Sequence, residues 1–253
     1  MFCARIARTA LAVLTTLLLA SSATALTIDF EGQPDGEAGP FQYVYPGVTV
    51  DVTADTPPPG DHEGLAIFDS SFGGPNDGLA DQDLVVDHGN ILILQNGAGS
   101  YPTQTVPGIF DEANDDEDGG IFYFDFSSSV LLSSIELIDI NGMGMLDVIL
   151  RDSAGETRTY SVPDQWTGDI TQPGQVGFQV LDLTTLVDQL GVGPGGFATA
   201  SQTLLFDAGD VVQLEISFGG SAAVDNLVFV PEPTTALLLG LGLGALGWRG
   251  RRS

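Results

Sequence analysis

Hydrophobic and polar residues alternate over short stretches along most of this chain, which is the pattern of strands that bury one face. Leu26 to Phe30 alternates in this way and opens the predicted fold. Phe41 to Val52 holds two strands separated by Pro46 and Gly47, and Ile121 to Phe126 places three phenylalanines on one face. The pattern therefore predicts strands rather than helices over most of the chain.

The other predicted strands are short and are bounded by turn residues. They are Leu65 to Phe68, Leu84 to Val86, Ile91 to Gln95, Val130 to Ile140, Met145 to Arg151, Glu156 to Val162, Phe178 to Leu183, Leu204 to Phe206, Val211 to Phe218 and Ala222 to Val230. We expect the strands on either side of His88 to form a hairpin, and the three strands between Val130 and Val162 to form a meander. Between the two chain ends, Leu183 to Leu190 is the one predicted helix, and Gly191 to Gly196 is predicted to be a flexible loop.

Many short strands with almost no helix predict an all-β protein, an antiparallel β-sandwich with a jelly-roll arrangement. Residues 26–229 are expected to form one domain, since all-β domains commonly reach this length. Its first and last strands are expected to lie side by side, because the termini of compact domains are often close together.

The N-terminal segment, residues 1–25, has the pattern of a signal peptide. Arg5 and Arg8 precede an apolar helix-forming stretch from Ala10 to Ala20, and Ala23 and Ala25 frame a small-residue cleavage site. We therefore expect export through the Sec translocon, with cleavage after Ala25.

The C-terminal segment, residues 230–253, combines a proline-rich break, an apolar run and a basic end. At about 1.5 Å per residue the apolar run reaches roughly 20 Å, so it predicts a short transmembrane helix that spans a thinned bilayer. The basic residues are expected on the cytoplasmic side. The three parts are Pro231, Glu232 and Pro233, then Ala236 to Trp248, then Arg249, Arg251 and Arg252.

In its order of parts this segment resembles the PEP-CTERM sorting signal of Gram-negative bacteria. The resemblance implies export, transient anchoring in the inner membrane facing the periplasm, and processing by an exosortase. It also implies a final location at the cell surface or in the extracellular matrix, where such proteins are linked to exopolysaccharide and biofilm. It covers about a tenth of the chain and specifies an address rather than an activity. The alternative is a plain C-terminal membrane anchor.

The acidic composition limits the partners. Arg151 and Arg158 are the only basic residues, histidines aside, between the two end segments, and they stand against 33 of the 34 acidic residues, a net charge of about −31. Such a surface disfavours nucleic acid and anionic lipid and favours divalent cations, cationic ligands or neutral glycans; simple solubility is the alternative explanation. The single cysteine, Cys3, lies in the predicted signal peptide, so the mature domain has no disulfide and no cysteine metal site.

One acidic stretch has the spacing of a calcium loop. Asn114, Asp116 and Asp118 alternate ahead of Gly119, and Asp125 falls at the twelfth position. The predicted strands on both sides exclude an EF-hand, so the prediction is a Ca²⁺ loop in a β scaffold that uses these four oxygen-bearing residues. The alternative is a solvated acidic loop.

Two other acidic groups are weaker candidates for metal binding. One has irregular spacing that is equally typical of a turn. The other joins the first and last strands, where many jelly-roll carbohydrate-binding modules hold a structural calcium; this is a resemblance of architecture only, and a turn or edge bulge is the favoured alternative. The groups are Asn76, Asp77, Asp81 and Asp83, and Glu31 with Asp225 and Asn226.

Catalytic motifs are missing from the sequence, so the chain is predicted not to be an enzyme. His62 and His88 are the only histidines, and neither belongs to a zinc-protease motif or stands near a nucleophile elbow. Trp166 lies in a polar loop, where it either caps the core or offers a platform for sugars. The leading prediction is a non-catalytic surface or matrix protein that binds polysaccharide and is stabilised by calcium. The alternatives are a purely structural or adhesive matrix protein and a glycan-active enzyme.

Overall fold

A computed structural model describes residues 24–55, 62–79, 81–140 and 145–232. Within these ranges the protein is all-β, with thirteen strands and one short 3-10 turn. The strands are β1 (Leu26–Ile28), β2 (Phe41–Tyr45), β3 (Val48–Asp55), β4 (His62–Asp69), β5 (Asn90–Asn96), β6 (Gly120–Ile138), β7 (Leu146–Asp152), β8 (Thr157–Val162), β9 (Phe178–Asp182), β10 (Gln189–Leu190), β11 (Phe197–Gln202), β12 (Val211–Phe218) and β13 (Ala223–Pro231).

The strands form one large antiparallel sheet. Its main path runs β10-β11-β8-β7-β12-β6-β13-β5-β4. Three further attachments complete it: β3 joins β6 and carries β2, β9 pairs with β6, and β1 pairs with β13. The predicted all-β, antiparallel class is therefore confirmed, whereas the two-layer sandwich and the jelly-roll arrangement remain predictions.

The long strand β6 organises this sheet. Its first part pairs with β3 and β12, and its last part pairs with β13 and β9. Between the two parts lie serines that the sequence pattern placed outside the strands. Ser127 Oγ accepts a hydrogen bond from Thr49 N at 2.7 Å, and Ser128 Oγ donates to Gly47 O at 2.9 Å. These bonds tie the middle of β6 to the β2–β3 turn, so one strand of 19 residues replaces the two that were predicted.

The main core takes side chains from both parts of the sheet. Val52, Phe124 and Leu214 come from strands around the first part of β6, while Leu137 and Leu227 come from the last part of β6 and from β13. All five are at most 1 % exposed. Burial of each such side chain contributes about 1.5–3 kcal/mol, so the buried side chains of the alternating strands hold the two parts of the sheet together.

A second, smaller core lies on the opposite face of β5, β6 and β13. Ile93, Ile138 and Ala223 project from the strands, and Leu84 and Phe110 come from the loops before and after β5. These loops therefore cover the sheet instead of extending into solvent. The candidate site described below borders this face.

The termini of the domain agree with the sequence. Leu26 on β1 lies opposite Phe229 on β13, so the first and last strands are neighbours as predicted. The last strand ends at Pro231, and the backbone N–H of Glu232 still donates to Ser129 O at 3.2 Å. The described chain is thus bonded to the sheet as far as Glu232.

The predicted hairpin around His88 is wrong. Gln82–Leu84 forms a 3-10 turn, and Val85 and Val86 lie in no strand. These residues are hydrophobic because they pack against the second core, where burial does not require a strand. Only the second half of the predicted hairpin, β5, is present.

The predicted meander is half right. β7 and β8 form the expected hairpin, with Leu146 opposite Val162. β6 and β7 are not neighbours, because β12 lies between them: Leu214 pairs with Phe124 on one side and Leu150 on the other. The pairing of β12 brings together residues that are distant in sequence, which a local pattern does not report.

The predicted helix from Leu183 to Leu190 is absent. Asp182 Oδ1 accepts from Thr184 N at 2.8 Å and from Thr184 Oγ1 at 2.6 Å, a local bond that competes with helix formation. Nor is Leu204 to Phe206 a strand: Leu204 is 95 % exposed in a turn, and β11 precedes it.

The two predicted end helices lie almost wholly outside the described residues. The signal segment is described only from Thr24, and the apolar run from Ala236 to Trp248 is not described. In the part of the chain that the structure describes, no helix is both long and apolar enough to cross a membrane.

Candidate metal site and C-terminal segment

Two buried carboxyl groups face each other across neighbouring strands. Glu136 on β6 and Asp225 on β13 are direct register partners, and they are only 4 % and 2 % exposed. Side chains opposite each other in an antiparallel pair lie about 5 Å apart, and like charges there are destabilising. This pair therefore needs a proton, a donor or a cation to offset its repulsion.

The turn that precedes β5 brings a histidine to the same place. His88 Nδ1 lies 3.1 Å from Glu136 Oε2. The His88 ring packs on Phe178 with centroids 3.9 Å apart, and the His88 backbone N donates to Ser70 Oγ at 3.1 Å. Gly89 follows with a φ of 75°, which glycine adopts without strain. The imidazole is thus held in one position by both its ring and its backbone.

Asn226 bridges the two carboxyl groups. Its Nδ2 donates to Glu136 Oε2 at 2.9 Å and to Asp225 Oδ2 at 2.8 Å. Asn226 has a φ of 48° and lies where the register between β6 and β13 shifts, as in a β-bulge. The other oxygen of Asp225, Oδ1, is buried and has no hydrogen-bond partner.

Burial dominates the electrostatics of Asp225. Desolvation, helped by the charges of Glu136, Glu31 and Asp29, raises the pKa of Asp225 to about 8. Glu31 lies at the rim, where its Oε1 accepts from Asn90 N at 3.2 Å. The three residues that the sequence analysis grouped, Glu31, Asp225 and Asn226, therefore lie close together in the structure.

The group has the donor set of a metal site. His88, Glu136 and Asp225 each offer one ligand atom, and these atoms lie within 4.8 Å of one another. An imidazole nitrogen with carboxylate oxygens is a common ligand set for divalent metals. Sequence reasoning missed His88, taken as a turn residue, and Glu136, which stands in a hydrophobic strand. No local spacing connects them, because the register of the strands brings them together.

The four residues of the predicted calcium loop lie in different surroundings. Asn114 and Asp116 are buried, but Asp118 is exposed, and Asp125 lies in β6 with its Oδ1 accepting from Gln213 Nε2 at 2.8 Å. β6 begins at the seventh position of the motif, and an extended strand moves away by about 3.4 Å per residue. Among the described residues, the group of converging ligand atoms does not include these aspartates. The calcium loop at these four residues therefore stays a prediction.

The two acidic loops instead converge on Asp115, which the motif did not use. Asp81 Oδ2 accepts from Asp115 N at 2.8 Å, and Ser221 Oγ bonds Asp115 and lies 2.8 Å from Asp139 Oδ2. Burial raises the pKa of Asp115 and of Asp139 well above the usual value, and raises that of Asp81 to about 6. Ser221 has one hydroxyl hydrogen and therefore donates fully to only one of these two carboxyl groups at a time.

Trp166 is part of the core, which corrects its assignment as a stacking platform. It is 0 % exposed, and its Nε1 donates to Gln189 O at 3.1 Å. Gly191 and Gly193 lie against it: a Cβ on Gly191 would stand 2.6 Å from the indole, and Gly193 N donates to Trp166 O at 2.9 Å. The loop predicted to be flexible is thus closely packed, and its glycines permit the contact.

The predicted end signals are described only in part. Pro231 and Glu232 lie at the end of β13, and Ala25 lies just before β1. The other residues assigned to these signals lie outside the described ranges; they are Ala23, Pro233, Arg249, Arg251 and Arg252.

Comparison with known proteins gives one match, at the C-terminus. The family model of the PEP-CTERM protein-sorting motif matches residues 229–252. No curated protein and no solved structure gives a significant match to this chain. The motif implies export and membrane-anchored sorting before processing by an exosortase. The chain thus carries the PEP-CTERM protein-sorting motif, and its resemblance to exosortase substrates is confirmed at these residues.

Proposed function

We propose that this chain is a non-catalytic protein of the cell surface or extracellular matrix, delivered by the Sec translocon and released from the inner membrane by an exosortase. The observation that carries the proposal is the match at residues 229–252, which begins inside β13. Because Pro231 is the last residue of β13 and pairs with Val130 of β6, the sorting signal begins within the folded sheet. The exosortase would act next to the sheet.

Exopolysaccharide is the ligand class that we propose for the domain. One support is the link between such sorting signals and exopolysaccharide. The acidic surface disfavours polyanions and so favours a neutral polysaccharide. Trp166 has no part in this proposal, because it is buried. The competing structural or adhesive role needs no specific ligand and is favoured by the same burial.

Calcium is the cation that we propose for the acidic loops. Two loops that are distant in sequence meet at Asp81 and Asp115, where Asp81 Oδ2 accepts a hydrogen bond from Asp115 N at 2.8 Å and burial raises the pKa of Asp115. Ca²⁺ prefers carboxylate and carbonyl oxygens, which this region supplies. Cation binding there would stiffen the loops over the second core.

The sorting proposal is tested by cell fractionation. In a host with an exosortase, the full-length chain is expected at the surface or in the medium. A variant with Pro231, Glu232 and Pro233 all changed to alanine is expected to stay in the inner membrane, because the enzyme no longer recognises it. Ser253→Ala is the matched control and should behave as the unaltered chain. Release of the alanine variant to the same extent would overturn the proposal.

The ligand proposal has a separate test. The released protein is passed over a column that carries the host's own exopolysaccharide, and its retention is compared with that on the same matrix without polysaccharide. Retention supports polysaccharide binding. Elution in the void volume would exclude it and favour the structural role, while the sorting result would stand.

A further inference from the structure

We propose that His88, Glu136 and Asp225 form a binding site for one transition-metal dication, represented by Zn²⁺. The inference is independent of how the chain is sorted. Its starting point is geometric: a turn residue and two strand residues, distant in sequence, place three ligand atoms within 4.8 Å of one another. Surface acids meet by chance, whereas these residues are fixed by strand register and by packing on Phe178.

The buried oxygen of Asp225 is the second observation. Asp225 is 2 % exposed, and its Oδ1 has no hydrogen-bond partner. Leaving a buried carboxylate oxygen unbonded is costly, and a facing carboxylate on Glu136 adds repulsion. A dication at this point would provide the missing partner and neutralise both acids.

The spacing suits a small ion. Zn²⁺ bonds of about 2.0–2.2 Å place neighbouring ligands of a tetrahedron about 3.3–3.6 Å apart. His88 Nδ1 and Glu136 Oε2 already lie 3.1 Å apart. Shortening a separation of 4.8 Å between two ligand atoms to about 3.3 Å takes a movement of about 1.5 Å, which rotation of a carboxylate side chain can supply. Solvent or Glu31, at the rim of the group, would complete the coordination.

The nitrogen ligand selects the class of metal. Ca²⁺ and Mg²⁺ take oxygen ligands almost without exception, whereas imidazole suits zinc and its neighbours in the first transition row. Asn226 supports the site as an outer partner, since its Nδ2 bonds both carboxylates and so orients them. An ion here would join β6 and β13 to the turn before β5.

The test is calorimetric titration of ZnCl₂ into the full chain, purified in mild detergent and stripped with EDTA. One saturable site per chain is expected. Asp225→Asn and His88→Gln should each lower the association constant by at least about tenfold, because loss of even an outer partner has that effect. Asp118→Asn removes the same charge from an exposed position and should leave the constant unchanged within about twofold.

Two further measurements keep the result decisive. Circular dichroism checks that each variant is folded; His88→Gln changes a partly exposed side chain and serves if Asp225→Asn does not fold. A large excess of Ca²⁺ should leave Zn²⁺ bound. Absence of a saturable site, equal affinity in His88→Gln, or displacement of Zn²⁺ by Ca²⁺ would each overturn the proposal.

Discussion

Replacement of Trp166 by alanine is expected to destabilise the domain strongly. The indole is fully buried in the main core, and its Nε1 donates to Gln189 O. A buried Trp→Ala change costs about 3–5 kcal/mol, since it removes apolar contacts and leaves a cavity, and the unpaired carbonyl adds about 1 kcal/mol. For a domain of this size each kcal/mol lowers the melting temperature by about 2–4 °C, so a fall of roughly 8–24 °C is expected.

Thermal unfolding followed by circular dichroism measures this change, with two companion variants. Trp166→Phe keeps an aromatic ring and should lose about 1–2 kcal/mol, mainly the hydrogen bond and part of the contacts. Phe72→Ala removes an aromatic ring that is 62 % exposed and should change stability by less than about 0.5 kcal/mol. If Trp166→Ala left the melting temperature unchanged but abolished polysaccharide binding, the assignment of Trp166 to the core would be refuted.

The remaining predictions concern the acidic loops. Burial raises the pKa of Asp81 to about 6 and those of Asp115 and Asp139 well above the ordinary 3.8, so the folded state binds protons more tightly than the unfolded state. This stabilisation is complete below about pH 4 and is lost as the pH rises through 6 and beyond; the melting temperature in EDTA should therefore fall between pH 5 and pH 8, and a rise would contradict the account. Asp115→Asn should raise stability at pH 8 relative to the unaltered chain and have less effect at pH 4, as measured by urea unfolding; a loss at both pH values would refute it. Millimolar Ca²⁺ should raise the melting temperature; at a hundred times its dissociation constant it adds about 2.7 kcal/mol to the free energy of unfolding. Asp118→Ala should leave that shift intact. Loss of the shift in this variant would instead favour the twelve-residue calcium loop.

Local patterns predicted the strands well. Phe122, Phe124 and Phe126 alternate in sequence and are all buried on one face of β6, because the period of a strand is fixed by its backbone. The same reasoning gave the β7–β8 hairpin. It did not give the place of β12 between β6 and β7, since strand order depends on contacts between distant residues.

The candidate site was likewise predictable from the sequence only in part. Asp225 and Asn226 were noticed by their resemblance to a metal site between first and last strands, and β1 and β13 are indeed neighbours. Glu136 was missed because a single acid among leucines and isoleucines looks like an exposed position of a half-buried strand. Only the register places it opposite Asp225 and below His88.

Hydrophobicity alone misplaced one strand, and spacing alone does not establish a metal site. Val85 and Val86 are buried without a strand, because a covering loop needs apolar residues as much as a sheet does. The Asn114 motif matched a calcium loop in spacing, but the strand that starts at Gly120 extends the chain away from it. A motif match acquires chemical meaning only when the backbone curls to bring its residues together.

The most direct test of the sorting account is the intact mass of the protein released by cells that carry an exosortase. The account predicts a mass that lacks residues 1–25 and the apolar run with its terminal arginines, so that the chain starts at Leu26 and ends near the Pro231-Glu232-Pro233 motif. A released protein whose mass still includes Arg249, Arg251 and Arg252 would contradict exosortase processing.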